Sequence, residues 1–257
     1  MVAIVREPFM MEDLQKTHTP AAIQDRLRVG PTHSYLRDFI YGAVDGVVTT
    51  FAVVSGVAGA GLPSGVVIVL GAANLAGDGF SMAVSNYLGT RADRQLVERA
   101  RRIEEEHVTA YPEGEREEIR QIFRAKGLSG SDLEQIVTAL TSNRKRWIDT
   151  MIQEEYGLAL KGATPIRAAA ITFVAFVLLG ALPLLPFISE FFKPGIVMKP
   201  FLVSSLVTGT AFFLVGAVKA RFVLQHWYRA GVETFIVGGI AATLAYLVGV
   251  ALRSVVR

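Results

Sequence analysis

The chain has 257 residues, of which 51% are hydrophobic, and a net charge of +3. There is no cysteine, which excludes disulfides and thiolate metal sites and leaves carboxylate, imidazole, thioether or backbone oxygen as metal ligands. The sequence pI near 9.2 does not point to nucleic acid, because Lys and Arg flank apolar blocks as topology signals do. Residues 1–36 are mixed polar without an apolar run, and read as a partly ordered cytosolic tail with no cleavable signal peptide. Apolar blocks then cover about 38–60 and 64–89, joined by the turn Gly61-Leu-Pro-Ser-Gly65. Each is near the roughly 20 residues needed to cross about 30 Å of hydrocarbon. Further blocks cover 166–189, 200–220 and 231–252. Pro183 and Pro186 are placed to kink the third block or end it early, and Phe192-Lys-Pro-Gly195 breaks the chain before the fourth.

Residues 90–164 are charged and helix-forming instead, with amphipathic helices expected at 90–109, 113–126, 129–141 and 143–158. Pro112 suits a helix start, Gly127 a stop, and Ser129 or Ser131 an N-cap. No turn signal separates the second apolar block from the first of these helices, so one helix is expected to run through both. The predicted fold is all-α: a polytopic membrane protein with five transmembrane helices per protomer. Its organisation is a tail at 1–36, spans one and two at 37–89, a cytosolic helical metal-binding domain at 90–164, and spans three to five at 165–257.

Orientation follows from the basic residues. With the N-terminus in the cytosol, the inner segments 1–37, 90–167 and 219–229 carry 5, 14 and 3 Lys or Arg, 22 in all, against 4 outside. The C-terminus is then outside. The absence of targeting signals and the short tail favour a bacterial inner membrane over a vacuolar one.

Acidic residues inside the spans carry the functional argument. Asp45 lies within an otherwise apolar block, where a carboxylate costs a few kcal/mol or more and rarely persists without a task. Asn74, Asp78 and Met82 follow at four-residue spacing on one face of the second span, and Asp38 shares a face with Asp45. The Asp45 and Asp78 carboxylates, the Asn74 amide and the Met82 thioether could thus converge as a cation path, with Asp38 nearby. Met82 is otherwise packing filler, and Asn74 is otherwise an interhelical hydrogen-bonding residue. Gly42-Ala-Val-Asp-Gly46 is a small-xxx-small pattern, which suggests that the first span pairs with its twin in a homodimer. Glu233 at the start of the fifth span either senses protons or caps its helix.

A second cluster lies in the polar region, where residues 98–118 contain eight Glu. Glu104 and His107 are i, i+3 on one helix, Glu115 and Glu118 are i, i+3 on the next, and Met151 and Glu155 are i, i+4 on the last. Carboxylates facing one another across a helical bundle, with Glu-x-x-His on one helix, hold iron-type cations. The bland alternative is a solvated acidic face.

Together these residues resemble the vacuolar iron transporter family. The resemblance rests on Arg37-Asp-Phe-Ile-Tyr-Gly-Ala-Val-Asp-Gly46, Asp78-Gly-Phe-Ser-Met-Ala-Val-Ser-Asn-Tyr87, the acidic helices, Trp147-Ile-Asp-Thr-Met151 and the Phe235 region, over about residues 33–254. It implies a homodimer of five-span protomers that moves ferrous iron, and often manganese, out of the cytosol in exchange for protons. It implies no tightly bound cofactor. It assigns Asp45 and Met82 to the dimer pathway, Asp38 to its entrance, and Glu104, Glu115, Glu118, Met151 and Glu155 to the metal-binding domain. His107 stands where the family commonly has Glu, Asn74 where plant members have an acid, and Ile152 where they have a second Met. Two other classes fit parts of the pattern: a metal-gated channel or sensor without proton coupling, and a ferroxidase-like iron-oxidising protein. The expected partners are a second copy of the chain, the bilayer, divalent transition-metal ions and protons.

Overall fold

The computed structural model describes residues 16–29, 34–223 and 225–255, and these are all-helical. Most of the expected N-terminal tail lies outside the described residues; within it, α1 (Pro20–Val29) is a short exposed helix. Five helices are long and apolar enough to cross a membrane. In chain order the first two are α2 (Leu36–Ala60) and α3 (Ser64–Ala110). The third is composite: α7 (Pro165–Gly180), a 3₁₀ turn (Leu182–Leu184) and α8 (Leu185–Phe192). The last two are α9 (Pro200–Val223) and α10 (Trp227–Ala251). Between α3 and α7 lie α4 (Pro112–Ala125), α5 (Gly130–Thr141) and α6 (Arg144–Glu154). The chain is an integral membrane protein.

α3 is one unbroken helix of 47 residues, about 70 Å at 1.5 Å per residue. Its N-terminal half is apolar and its C-terminal half acidic, with no Gly-Pro or Asn-Gly break between them. α4 follows at once, with Pro112 in the first turn, where its missing N–H is no loss. α6 is capped by Asn143, whose side chain accepts from the Arg146 N–H at 3.0 Å. It ends four residues earlier than the expected 158, just before Gly157 at φ 65. The amphipathic faces of α3 to α6 close on their own apolar core of Ala100, Val108, Ile119, Leu133, Val137, Trp147, Ile148, Met151 and Ile152.

The two prolines act on the third span as their chemistry requires. Pro183 and Pro186 lack the N–H groups that would bond back one turn, so the α-helix ends at Gly180 and resumes at Leu185. The Ser204 hydroxyl of α9 donates to the Pro183 carbonyl at 2.7 Å, which ties the break to the bundle.

α2 is the hub, packed chiefly against α7 and α10. Its Val47, Phe51, Val54 and Val57 form a core with Val67, Leu184, Phe187, Ala211, Phe212 and Ala242. Gly42 and Gly46 do not serve a second copy, contrary to the sequence expectation. A Cβ on Gly42 would lie 2.2 Å from the Thr172 carbonyl oxygen, and one on Gly46 would lie 2.4 Å from that of Phe176. The small pair is already spent on the α7 backbone of its own chain. Gly59 and Gly249 permit an equally close approach of α2 to α10, with would-be Cβ distances of 2.3 Å to the Tyr246 oxygen and 2.1 Å to the Gly56 oxygen. Much of α10 remains uncovered, including Phe235, Ile240, Leu244 and Leu247, as suits a helix bordered by lipid.

Replacing Gly46 by Ala should therefore force α2 and α7 apart and destabilise the bundle by about 1–3 kcal/mol. Gly65, where an added Cβ meets nothing within 4 Å, should accept Ala without loss. Thermal unfolding in detergent checks the pair: the G46A midpoint falls and the G65A midpoint does not.

Candidate functional site

Two groups of polar residues stand out, and both are carried by α3. The first runs along its contact with α2. The Thr50 hydroxyl donates to Asn74 Oδ1 at 3.1 Å, and Asn74 Nδ2 donates to the Asp78 carboxylate. One helical turn further on comes Met82, and another turn on comes Asn86, whose Nδ2 donates to Asp38 Oδ1 at 2.8 Å and to Thr172 Oγ1 at 2.7 Å. Thr172 in turn donates to the Asp38 backbone carbonyl at 3.2 Å, and Thr90 donates to Asn86 Oδ1 at 3.3 Å. Residues 74, 78, 82 and 86 thus present a polar row to α2, whose Asp38, Asp45 and Thr50 face it in antiparallel order. The charges of Asp45 and Asp78 act on one another across this contact.

The row opens into a cavity of about 1090 Å³. Arg37, Ile40, Tyr41, Val44, Asp45 and Val48 of α2 line it, with Met82 of α3, Lys219 of α9, and Glu233, Thr234 and Val237 of α10. Three of the sequence candidates, Asp45, Met82 and Glu233, are therefore brought to one space. Asp38 does not line it: the residue is buried, with its carboxylate held by Asn86 and its backbone carbonyl by Thr172. Asn74 makes the interhelical bond of its bland reading and also holds Asp78, which is exposed. Glu233 sits in the second turn of α10, which starts at Trp227, so it does not cap the helix; no acid occupies the first turn.

The second group lies at the other end of α3. The short Tyr111 link folds α4 back so that one ligand atom each from Glu104, His107 and Glu115 falls within 4.8 Å of the others. His107 Nδ1 is 3.3 Å from Glu115 Oε1. Glu104 and Glu115 are buried, and the Oε2 atom of each has no hydrogen-bond partner. An orphaned buried carboxylate oxygen is costly unless a proton or a cation occupies it. Tyr156 donates its hydroxyl to Glu104 Oε1 at 2.9 Å. Burial, followed by the charges of Glu104 and Glu118, raises the Glu115 carboxyl to about 7. The same causes in the same order raise Glu155, so Glu118 and Glu155 belong electrostatically to the group although both are exposed. The phenol of Tyr156 is raised by burial and then by its bond to Glu104. Met151 is fully buried in the apolar core beside Ile148 and Ile152. Several carboxylates and one imidazole with few donors among them are a ligand set that could hold a hard or borderline divalent cation.

Sequence reasoning missed Asn86, although it continues the four-residue series after Met82. It missed Tyr156, adjacent to Glu155, and the cavity-lining Arg37 and Lys219. Thr50 and Thr172 carry no signal that could have singled them out.

The VIT family model matches residues 36–250. The chain is 30% identical over 266 residues to a vacuolar iron transporter of Toxoplasma gondii, covering 98% of this chain and 88% of that protein. It is 31% identical over 212 residues to vacuolar iron transporter 1 of Arabidopsis thaliana, covering 82% and 83%. A further similar protein is vacuolar iron transporter 2 of Oryza sativa subsp. japonica, 31% identical over 223 residues, covering 86% and 88%.

The raised Glu115 group sets a pH dependence. Folded, it keeps its proton to about pH 7; unfolded, it loses it near 4.5. The folded state therefore binds more protons between those values, and stability falls as pH rises through them. The metal-free full chain in detergent should unfold at a higher temperature at pH 5 than at pH 8, and E115Q should flatten that difference. Added Mn²⁺, taking the proton's place, should raise the midpoint more at pH 8 than at pH 5.

Proposed function

Because the chain belongs to the VIT family, a family of transporters, we propose that it carries ferrous iron, and manganese with it, out of the cytosol in exchange for protons. The observation that carries this reading is Asp45, a carboxylate in the middle of an apolar span that lines an open cavity with Met82 and Glu233. A carboxylate and a thioether suit a borderline cation such as Fe²⁺ or Mn²⁺.

On this reading the basic residues put the N-terminus and the α3–α6 helical unit in the cytosol. Fe²⁺ is first collected by Glu104, His107 and Glu115, with Glu118 and Glu155 adding negative potential around them. Such a field raises the local cation concentration before entry. The ion then reaches Asp45 and Met82. Met82 and Glu104 are 22 residues apart on one helix, about 33 Å. Protons from the far side then neutralise Asp45 and Asp78, weaken the site and release the metal.

The reading includes a homodimer. The cavity that α2 lines with α3, α9 and α10 is open to one side, and Tyr41 at its edge is 54% exposed. The neighbouring face of α3 exposes the small residues Ala72, Ala73, Ala76, Gly77 and Ser81. A second copy laid there would turn each open cavity into a shared conduit with two copies of Asp45 near its axis.

The test is transport of Fe²⁺ and Mn²⁺ into proteoliposomes with and without an imposed pH gradient. Metal-driven proton movement is expected, and D45A should abolish it. Undiminished flux in D45A removes Asp45 from the path, and flux that ignores the pH gradient removes proton exchange. E104Q/E115Q should lower the flux at micromolar metal and leave it nearly intact at saturating metal, since collection precedes passage.

A further inference from the structure

Lys219 lies in the same membrane cavity as the two carboxylates that would carry the cation. A lysine at the end of a membrane span is normally paired or led out to the interface. Lys219 is half-buried four residues before the end of α9 and, among the described residues, forms no ion pair. The ionisable groups lining the cavity are Arg37, Asp45, Lys219 and Glu233. With all four charged their formal charges cancel, so the empty cavity is neutral. Arg37 is turned over the Tyr41 ring, 5.4 Å from its centroid. Lys219 is the other cation of the lining, and among the described residues it has no such ring contact.

This arrangement is the opposite of a tight metal site. A trap for a divalent ion would leave its carboxylates uncompensated, whereas here the compensation is built into the protein. We propose that Lys219 is a specificity- and turnover-determining residue: its ammonium balances Asp45 and Glu233 while the cavity is empty and repels the metal once it is bound. Repulsion between the ammonium and a divalent ion in one cavity opposes tight binding and keeps the site shallow. The metal binds, but does not stay. Repulsion falls on occupants in proportion to their charge, so the same residue limits trivalent ions more than divalent ones. The inference rests on the transport reading and adds a residue to its pathway.

The test is Mn²⁺ flux into proteoliposomes, resolved into KM and kcat, for the wild type, K219M, K219Q and K219R. K219M and K219Q should lower both KM and kcat, each on the order of tenfold, because binding tightens and release slows. K219R keeps the charge and should stay near the wild type. Inhibition by Ga³⁺ should strengthen in K219M and K219Q relative to the wild type. Each variant is first shown to be monodisperse with an unaltered unfolding midpoint, and the isosteric K219M and the polar K219Q guard against one of them failing to fold. Wild-type flux together with unchanged KM and kcat in both neutral variants, or a raised KM, overturns the role of Lys219 alone. Absence of flux in the wild type overturns the transport reading and this inference with it.

Discussion

The structure depends on how a membrane-embedded chain keeps carboxylates among apolar helices. Hydrocarbon offers no hydrogen bonds, so each acid must meet protein partners or an aqueous space. Both solutions occur along one helix pair. Asp38 is held by Asn86 and tied through its backbone to Thr172, and Asp78 takes a bond from Asn74, itself anchored by Thr50. Asp45 instead opens onto a cavity. The fixed acids define a polar row between α2 and α3, and the free one marks where that row meets a space large enough for ions and water.

That division needs α2 to have two unlike sides. On one side glycines let the α7 and α10 backbones approach so closely that no side chain fits between them. Packing of this kind replaces the hydrophobic effect, which does little between helices in lipid. With its small face committed there, α2 turns Arg37, Tyr41, Asp45 and Val48 to the cavity that it shares with α3, α9 and α10. The rigid contacts hold α2 still, and the open side is left for chemistry. α3 links this region to the acidic cluster through a single helix, so the two sites share one rigid body rather than a flexible tether.

The sequence conveyed much of this, for identifiable reasons. The five spans were legible because hydrocarbon thickness imposes a length, and the continuity of α3 was legible because nothing between 64 and 110 breaks a helix. The four-residue spacing of Asn74, Asp78 and Met82 revealed a shared face, and extending it one step would have found Asn86. What a residue faces is harder. Gly42 and Gly46 suit any close helix, and only tertiary structure assigns them to α7 rather than to a second copy. Glu104 and Glu115 could be seen as paired acids, but their burial with orphaned oxygens depends on how far α4 folds back. Lys219 gave no signal because a basic residue near the end of a span reads as a topology marker.

The central claim is that the cavity-lining side of α2 faces water at membrane depth and that a divalent cation reaches it. The chain has no cysteine, so a single introduced thiol can be read without background. The most direct measurement is labelling of V48C by a charged, membrane-impermeant thiol reagent in vesicles, with L178C on the exposed face of α7 as the lipid-facing reference. The account predicts that V48C reacts, that Mn²⁺ protects it, that the protection is lost in V48C/D45A, and that L178C stays inert. A V48C thiol as unreactive as L178C, or one indifferent to Mn²⁺ in a protein that still transports it, would contradict the account.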